Sequence, residues 1–508
     1  MSTSQKHKIG IIGAGVAGLG TAKTLLAEGF ECTVFERAST LGGVWAQGYS
    51  NFGVQVQKEL YEFPDWPLPD DVPDFTPGVR IQRYLEDYAR HFGVWPHIRF
   101  DTSVMNVRRS EIRRGAWTVK SLRDGVAVDE EFDQVVVCVG LYSSRPHVPR
   151  FAGQDGFDGE IIHVSELEDR SILAGKKVAI VGYGKSATDA AVEAAEAADE
   201  TSIIFREAHW PVPAVLLGIL PFKWAMLGRL ASSLLPPYYR PSRLEEALHS
   251  IGQPLVWLWW RIVELLLTLQ CGLWSRFGTR VSLVPDSPVE IDTFGEAVML
   301  PRPEFYRYVR RGRIAPYRTE IATFEPDGVR LTSGESIEVD MVILGTGWRS
   351  DLGFLEASIR RALESEEDGI YMYRQMVHPE LPGLFFVGHA STIENIVTYN
   401  LQARWLCELL KGTHALPSTE HMRENIDQLR GWKRAWMPHS EARGARLLLH
   451  MQHYHDELLE DLGASPLRKT GVFAPLKEVF APYEPRDYMS IVAGEQRRSM
   501  PSRSDEAA

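Results

Sequence analysis

The chain has 508 residues, 44% of them hydrophobic and 24% charged, and these are the proportions of a globular protein. At roughly 150 residues per domain, this length predicts two to four domains. The formal net charge of -12 argues against nucleic acid as a partner, because phosphate binding needs clustered Lys and Arg.

The first predicted element is a βαβ unit with a glycine-rich turn. It consists of a strand, a GxGxxG turn, a helix and a second strand: residues 8–12, the turn with Gly13, Gly15 and Gly18, residues 19–27 and residues 31–36. Glycines at this spacing let the backbone approach a pyrophosphate at the N-terminus of the helix. Glu36, which ends the second strand, can accept hydrogen bonds from a ribose 2′-OH. The unit is therefore predicted to bind a nucleotide without a 2′-phosphate, most simply FAD; the alternative is a tight turn without a ligand.

A second βαβ unit is predicted between residues 177 and 206. Its parts are residues 177–181, the turn 182–189, a helix through 198 and residues 202–205, with Gly182, Gly184, Lys185 and Ser186 as candidate cofactor-binding residues. Ala187 takes the place of the third glycine, a substitution that this fingerprint allows. The second strand is closed by Arg206, whose guanidinium suits a 2′-phosphate. This difference predicts NADPH as the second nucleotide; the alternative for Arg206 is a solvated strand end.

The residues from about 211 to 281 form an apolar insertion that a nucleotide-binding unit does not require. Residues 254–274 approach the length of a membrane span, but Arg261 and Glu264 lie near their middle and can pair along a helix. The cost of charges in lipid argues against a spanning helix. The preferred interpretation is buried helices that form a cap or pocket wall, and the second is a patch that rests on a membrane.

The C-terminal region, from about residue 415, is predicted to be mostly helical, with a frayed end from about residue 493. It contains three neighbouring histidines, His450, His453 and His455. His455 lies off the helix face that the other two share, so solvated histidines are predicted rather than a metal site.

The cysteines and the N-terminal residues indicate the cellular compartment of the protein. The four cysteines, Cys32, Cys138, Cys271 and Cys407, form no CxxC pair, and the N-terminal residues contain no apolar segment of signal-peptide length. These features predict a cytoplasmic protein without a dithiol redox centre.

Further segments strengthen the interpretation of the two turns. They are LGGVW (41–45), QKELYEFPDWP (57–67), FDGEIIH (157–163), DMVILGTGW (340–348), LPGLFFVGH (381–389) and NLQARW (400–405). In this order they resemble the flavin-containing monooxygenases, and the resemblance runs from about residue 8 to about residue 412. It implies that Gly43 and Trp45 lie beside the flavin, and that Gly388 and Gln402 belong to the final strand and helix that approach it.

The resemblance implies an α/β fold with two Rossmann-like dinucleotide-binding domains. The expected parts are an FAD-binding domain made of residues 1–168 and 336–414, an NADPH-binding domain of residues 169–335 that carries the insertion, and a helical region of residues 415–508. It also implies a reaction in which NADPH reduces the flavin and O₂ then forms a C4a-hydroperoxide, which oxygenates nitrogen or sulfur in a small lipophilic substrate.

Other activities remain open from the residues. Baeyer–Villiger oxygenation of a ketone is the first alternative, because Leu167 stands where an aromatic residue usually separates the two kinds of enzyme. A flavin-dependent NADPH oxidase or reductase and a non-catalytic nucleotide sensor are the others. A disulfide reductase needs a cysteine pair beside the flavin, and none of the four cysteines is placed for it.

The candidate catalytic residues are amides. Heteroatom oxygenases often carry an asparagine three residues before the KE pair, and here that position is Gln55, which keeps the amide with one more methylene. Asn51, four residues earlier, is the second candidate. His163 is predicted to be a hinge or linker residue rather than a proton-transfer group.

Overall fold

Two parallel sheets, one built on each predicted βαβ unit, form the framework of the computed structural model, which describes residues 7–142, 145–274, 281–295 and 302–495. The strands are β1 Lys8–Ile12, β2 Glu31–Phe35, β3 Ile98–Arg99, β4 Thr102–Arg109, β5 Trp117–Arg123, β6 Val126–Phe132, β7 Gln134–Val137, β8 Arg145–Pro146, β9 Glu160–His163, β10 Lys177–Val181, β11 Glu200–Phe205, β12 Val215–Leu216, β13 Leu220–Pro221, β14 Ala315–Arg318, β15 Ile321–Glu325, β16 Gly328–Leu331, β17 Ser336–Glu338, β18 Met341–Leu344, β19 Trp348–Arg349, β20 Leu384–Phe386, β21 Ser391–Thr392 and β22 Arg446–Leu448. The helices are α1 Val16–Ala27, α2 Gly78–His91, α3 Lys185–Ala197, α4 Phe222–Met226, α5 Arg229–Ser233, α6 Arg243–Ser250, α7 Gln253–Cys271, α8 Val289–Gly295, α9 Glu304–Arg310, α10 Ala357–Leu363, α11 Asn395–Leu410, α12 Thr419–Trp436, α13 Met451–Asp461, α14 Ala474–Phe480 and α15 Met489–Val492.

Strand order places both glycine-rich turns at comparable points of the two sheets. The first sheet has the order β20-β7-β1-β2-β3 and the second the order β14-β11-β10-β18-β9, with parallel neighbours throughout. The turns follow the middle strands β1 and β10 at their carboxyl ends, where open parallel sheets bind ligands. The predicted α/β class with two Rossmann-like units is confirmed.

The central strands are apolar runs because both faces of each sheet are covered, one by helices and the other by a three-stranded antiparallel sheet, β4–β6 in the first case and β15–β17 in the second. β1 reads KIGII and β10 reads KVAIV, and all but their end residues are buried. Both strands lie at the predicted bounds, whereas β11 begins at Glu200, two residues before the predicted start. Continuous apolar runs of this length identify buried strands from sequence alone.

Each sheet combines strands that are distant in the sequence. β20 pairs with β7 in the first sheet, so this sheet uses residues from both halves of the chain. β18 lies between β10 and β9 in the second sheet, and β9 and β18 both fall outside the predicted segment 169–335. The second sheet therefore extends into the residues on both sides of that segment.

The insertion is built from the β12–β13 hairpin and short helices around α7. By length and composition alone α7 is long and apolar enough to cross a membrane. Only 28% of its most apolar 18-residue window is buried in the protein, so most of this window is exposed. Its Arg261 and Glu264 pair at 3.2 Å, as the sequence predicts, and Arg261 also pairs with Glu290 at 2.5 Å. α7 is thus a surface helix with an ion pair on the side that faces α8.

One arginine joins the insertion to the C-terminal region. Arg229, at the start of α5, makes a bidentate pair with Asp456 on α13 at 2.6 and 2.9 Å and donates to the hydroxyl of Tyr483 at 2.9 Å. Bidentate pairs of this kind fix geometry as well as charge. The tail is therefore packed against the insertion.

The prediction of solvated histidines on α13 is wrong for two of the three residues. His450 and His455 are buried, because they lie where α13 and its N-terminal end pack against the rest of the protein, and their Nε2 atoms contact the carbonyl of Pro236 and the hydroxyl of Thr398 at 2.8 Å. Burial lowers the pKa of each to about 3. His453 pairs with Glu245 at 2.5 Å. Within the described ranges no group of three His, Cys, Asp or Glu residues could hold a metal ion.

Candidate functional site

The first glycine-rich turn leaves no room for a side chain at Gly13 or Gly18. Gly13 has a positive φ of 103°, and a Cβ atom there would lie 2.7 Å from the Cys138 carbonyl oxygen. A methyl group on Gly18 would overlap the carbonyl oxygen of Gly13. Gly15 is the N-cap of α1 and has no side chain to cap the helix, so backbone N–H groups of the first helical turn face outward. This is the arrangement that binds a phosphate or pyrophosphate.

Glu36 is held at the edge of this turn by the backbone. One carboxylate oxygen accepts from the Ala14 N–H at 2.8 Å and the other accepts from the Ala38 N–H at 3.0 Å, and the side chain is buried. Each oxygen of a carboxylate can accept more than one hydrogen bond, so both can also receive a ribose hydroxyl. The geometry fits the role predicted for Glu36.

The predicted residues Gly43 and Trp45 lie next to the same turn. A Cβ atom on Gly43 would lie 3.5 Å from the Cα atom of Gly15, so at this point backbone faces backbone. Trp45 stacks on Phe52 with 5.5 Å between ring centroids, and its Nε1 donates to the hydroxyl of Tyr61 at 2.9 Å. These aromatic side chains form one wall beside the first turn.

Gly388 lies against the first turn of α1, and Gln402 holds it in place. A Cβ atom on Gly388 would lie 2.8 Å from the Cβ atom of Ala17 in the first turn of α1. The buried side chain of Gln402 accepts from the Gly388 N–H at 3.1 Å and donates to the hydroxyl of Tyr454 at 2.7 Å. Gln402 therefore acts on the site through Gly388.

The second turn has the same form with more open space. A Cβ atom on Gly182 would lie 2.5 Å from the carbonyl oxygen of Gly345, whereas one on Gly184 would meet no atom within 4 Å. Gly184 is the N-cap of α3 and, like Gly15, leaves the helix uncapped by a side chain. Ser186, in the first turn of that helix, is mostly buried. Space above Gly184 suits a phosphate group.

The two cationic residues predicted for the second nucleotide differ in their surroundings. The ammonium group of Lys185 pairs with the carboxylate of Asp189, one helical turn further on. Arg206 is 77% exposed, and its Nε lies 3.7 Å from Glu320 at the surface. Arg206 can therefore turn toward a ligand at little cost, whereas Lys185 must leave a partner.

Two residues of the second unit compensate each other: Ala187, at the third glycine position of the turn, and Gly345, directly after strand β18. Cys138 and Gly345 occupy equivalent places, because each follows a parallel strand and its N–H donates to the neighbouring strand end, Ile12 or Val181, at 2.8 Å. In the first unit Gly18 lies near Cys138; in the second, Ala187 lies opposite Gly345, where a Cβ atom would be only 2.5 Å from the Ala187 methyl group. In the first unit the side chain at this contact belongs to the strand-end residue Cys138, and in the second it belongs to the helix residue Ala187.

This compensation predicts a rescue. Gly345→Ala alone is expected to destabilise the protein by about 1–3 kcal/mol, because the interior is overpacked. Ala187→Gly alone is expected to cost about 1 kcal/mol from helix propensity. The double variant should recover most of the Gly345→Ala loss in urea unfolding. Strictly additive losses would contradict the compensation.

The two amide candidates lie in different environments. Gln55 is exposed and borders a small crevice of about 10 Å³ between the segment 55–60 and the insertion residues Ala214 and Phe222, which is room for one water molecule at most. Asn51 has a φ of 55°, and its side-chain amide donates to Glu193 on α3 at 2.9 Å. Of the two, Gln55 borders this crevice, whereas the amide of Asn51 is engaged by Glu193.

His163 and Leu167 lie where the two sheets connect. His163 is buried, its Nε2 contacts the carbonyl oxygen of Gly347 at 3.1 Å and its ring packs edge-on against Trp348. Burial lowers its pKa, so the ring is neutral. Leu167 is fully buried and packs in the hydrophobic core of the second sheet.

Sequence reasoning missed a cluster of charged and polar groups between the two turns. It consists of Tyr49, Asp189, Glu193 and Arg302. The signal that was available is the Lys185–Asp189 spacing of four residues, which places both on one helix face. Partners such as Tyr49 and Arg302 are too distant in the chain to be recognised this way.

A comparison with known families matches most of the chain. The model described as FMO-like, flavin-binding monooxygenase-like, matches residues 6–246 and 311–491. A probable flavin-containing monooxygenase 1 of Arabidopsis thaliana is 30% identical, with 95% of this chain and 96% of that protein covered. Flavin-containing monooxygenase 3 of Homo sapiens is 27% identical, with 96% of this chain and 89% of that protein covered.

Solved structures share the fold. S-allyl-L-cysteine S-oxygenase from Allium sativum superposes with a TM-score of 0.63 at 21% identity, covering 97% of this chain and 94% of that one. A steroid monooxygenase bound to NADP gives a TM-score of 0.65 at 21% identity, covering 97% and 99%. An open cyclohexanone monooxygenase gives 0.67 at 18% identity, covering 91% and 98%. At these identities the superpositions show a shared fold.

Proposed function

The chain belongs to the flavin-binding monooxygenase-like family, and we propose that it oxygenates a nitrogen or sulfur atom of a small lipophilic substrate. It is an enzyme that depends on FAD and NADPH. The observation that carries the proposal is the contrast between the two turns: one is closed by the buried carboxylate of Glu36 and the other by the exposed guanidinium of Arg206. Two different nucleotides suit a reaction that separates electron donation from oxygen activation.

The first turn fits FAD in our assignment. Backbone N–H groups at Gly15 receive the pyrophosphate and Glu36 accepts from the ribose, while Gly43 and Gly388 lie against Gly15 and Ala17. Bound flavin supplies two-electron chemistry, accepting hydride from NADPH and activating O₂ once reduced. The chain's own contribution is to bind, to orient and to exclude water, and the aromatic wall around Trp45 and Tyr61 serves the last of these.

Gln55 is our candidate for a hydrogen-bond donor beside the reacting centre. It lies at the border of the crevice, which is also lined by Val56, Gln57, Leu60, Phe75, Ala214, Phe222 and Lys223. Asn51 is the weaker candidate because Glu193 occupies its amide.

Baeyer–Villiger oxygenation of a ketone is the second candidate. Leu167 is fully buried and carries no group that separates the two activities, and two of the structural neighbours are named for a ketone or a steroid substrate. An NADPH oxidase that releases only hydrogen peroxide is the third.

One experiment separates these three activities. Purified flavin-loaded protein is mixed with NADPH and ¹⁸O₂ in the presence of a tertiary amine, a thioether or a cyclic ketone, and the products are analysed by mass spectrometry. An N-oxide or a sulfoxide with one ¹⁸O atom supports the proposal. Lactone alone would assign the Baeyer–Villiger activity, and hydrogen peroxide equal to the NADPH consumed with every substrate would reject oxygenation.

We also propose a cytoplasmic protein whose insertion rests on a membrane surface. Large apolar side chains are exposed on the hairpin β12–β13, on α4 and on α6–α7, among them Ile219, Trp224, Ile251, Leu255, Trp257 and Trp259. Gln270 holds the hairpin to α7 with hydrogen bonds to residues 215 and 217 at 2.9 Å. Tryptophans beside aliphatic side chains are typical of membrane interfaces.

A matched pair of isoleucines tests the membrane contact. Ile251 in the insertion and Ile112 near the β4–β5 turn are 90% and 89% exposed. Ile251→Glu is expected to lower the fraction that floats with liposomes about tenfold or more, because transfer of one such side chain contributes about 1.5–3 kcal/mol. Ile112→Glu should leave flotation unchanged. Wild-type protein that does not float would reject the contact.

A further inference from the structure

Two carboxylates on the helix of the second turn are fully buried. Asp189 is 0% exposed and Glu193 is 1% exposed, and their spacing of four residues places them on one face of α3. Buried carboxylates need cations or hydrogen-bond donors around them. The residues that pair with them therefore identify what this face of α3 contacts.

Two of these partners come from the segment that follows LGGVW (41–45). The hydroxyl of Tyr49 donates to Asp189 Oδ2 at 2.8 Å, and the side-chain amide of Asn51 donates to Glu193 Oε2 at 2.9 Å. Burial and the neighbouring carboxylate of Asp189 raise the pKa of the Tyr49 hydroxyl, so it stays a donor. These bonds join the second nucleotide-binding unit to the first.

Two cations complete the cluster. Arg302 donates from Nη1 to Glu193 at 2.5 Å and from Nη2 to the carbonyl oxygen of Asn51 at 2.8 Å, and its Nε lies 3.6 Å from Asp189 Oδ1. Lys185, inside the second turn, pairs with Asp189. Within this cluster Asp189 contacts both the nucleotide turn, through Lys185, and the first unit, through Tyr49.

A continuous line of contacts leads from Asp189 to the aromatic wall of the first turn. The ring of Tyr49 contacts that of Phe52 with 5.8 Å between centroids, and Phe52 stacks on Trp45. Trp45 in turn donates to Tyr61. The nucleotide turn and the flavin side are thus connected through packed side chains.

We propose that Asp189 and Tyr49 are a positioning pair for flavin reduction, and that Lys185 couples this pair to the bound nucleotide. The inference rests on our assignment of NADPH to the second turn. When the ammonium group of Lys185 turns to a phosphate, Asp189 keeps Tyr49 and Arg302 as its partners. A buried carboxylate that loses a cation depends more strongly on those that remain, so nucleotide binding tightens the contact with the first unit.

The reaction that this contact serves is hydride transfer. NADPH and a proton reduce FAD to FADH₂, and NADPH, having lost a hydride, becomes NADP⁺. Its rate depends on how closely the nicotinamide and the flavin ring are aligned, and small displacements reduce such rates strongly. A pair that sets the position of α3 against the flavin side therefore controls this step.

Three conservative variants test the proposal. Tyr49→Phe removes the hydroxyl, Asp189→Asn removes the charge, and Tyr308→Phe is the matched control, since its hydroxyl donates at 2.9 Å to Glu196 on the same helix without reaching the first unit. We expect Tyr49→Phe and Asp189→Asn to slow anaerobic flavin reduction by saturating NADPH about tenfold to a hundredfold. Tyr308→Phe should stay within twofold of the wild type.

Hydrogen exchange gives a readout that does not depend on turnover. Binding of NADP⁺ should protect the backbone amides of residues 49–52 in the wild type and in Tyr308→Phe, and this protection should be lost in the other two variants. The double variant should be no slower than the slower single variant, because both changes remove one contact.

Several outcomes would overturn the proposal. They are reduction rates of Tyr49→Phe and Asp189→Asn within twofold of the wild type, no protection of residues 49–52 by NADP⁺ in the wild type, or fully additive effects in the double variant. Reduction is measured without oxygen, so this result is separate from the product test: an enzyme that forms only hydrogen peroxide could still show the positioning effect.

Discussion

Gly18→Ala is expected to yield protein that purifies without flavin. A methyl group at this position overlaps the carbonyl oxygen of Gly13, a backbone atom that cannot move without opening the turn. Overpacking of this kind costs about 1–3 kcal/mol or more, and a tenfold change in affinity corresponds to about 1.4 kcal/mol. We expect FAD to bind at least tenfold more weakly, measured as flavin released per mole of purified protein.

The control for this variant is a glycine with free space. Gly431 lies within α12, and a Cβ atom there would meet no atom within 4 Å. Gly431→Ala should retain flavin at the wild-type level. Unchanged flavin content in Gly18→Ala would reject the first turn as the FAD site.

Arg206→Ala is expected to remove the preference for NADPH. A charge-assisted hydrogen bond to the 2′-phosphate contributes about 1.5–3 kcal/mol, so NADPH should bind about ten- to a hundredfold more weakly. NADH, which lacks this phosphate, should bind within twofold of the wild type. Both dissociation constants are obtained by titrating the anaerobic reduction of the flavin.

A second exposed arginine provides the matched control. Arg150 and Arg206 are both 77% exposed and each pairs with one carboxylate, Asp155 or Glu320. Arg150→Ala should change neither dissociation constant. Glu320→Gln should strengthen NADPH binding, because it removes a competing partner and a repulsive charge. Equal loss of NADPH and NADH affinity in Arg206→Ala would contradict the 2′-phosphate assignment.

The framework and the cofactor turns could be predicted because their information is local. Continuous apolar runs identify β1 and β10, and the turn that follows each of them is recognised by glycines a few residues apart. Glu36 was predicted from its place at the end of a strand, and it lies beside Ala14 in the turn. Each of these inferences uses a single βαβ unit.

The predictions that need distant partners were the ones that sequence could not complete. The spacing of Lys185 and Asp189 shows that the two can pair, but the contacts of Asp189 with Tyr49 and Arg302 come from other parts of the chain. The burial of His450 and His455 depends on packing of the tail against residues near 236 and 398. Helix periodicity describes one helix and does not identify what lies across from it.

The pairing of Ala187 with Gly345 also limits how this protein can be recombined with its relatives. A chimera that receives the strand–turn–helix segment 177–197 from a protein with glycine at the third turn position would keep Gly345 and gain a methyl-sized void. One that receives the segment around 340–348 with alanine at the strand end would place two methyl groups in one space. Crossover points between these segments must therefore transfer both residues together, although the entire insertion separates them.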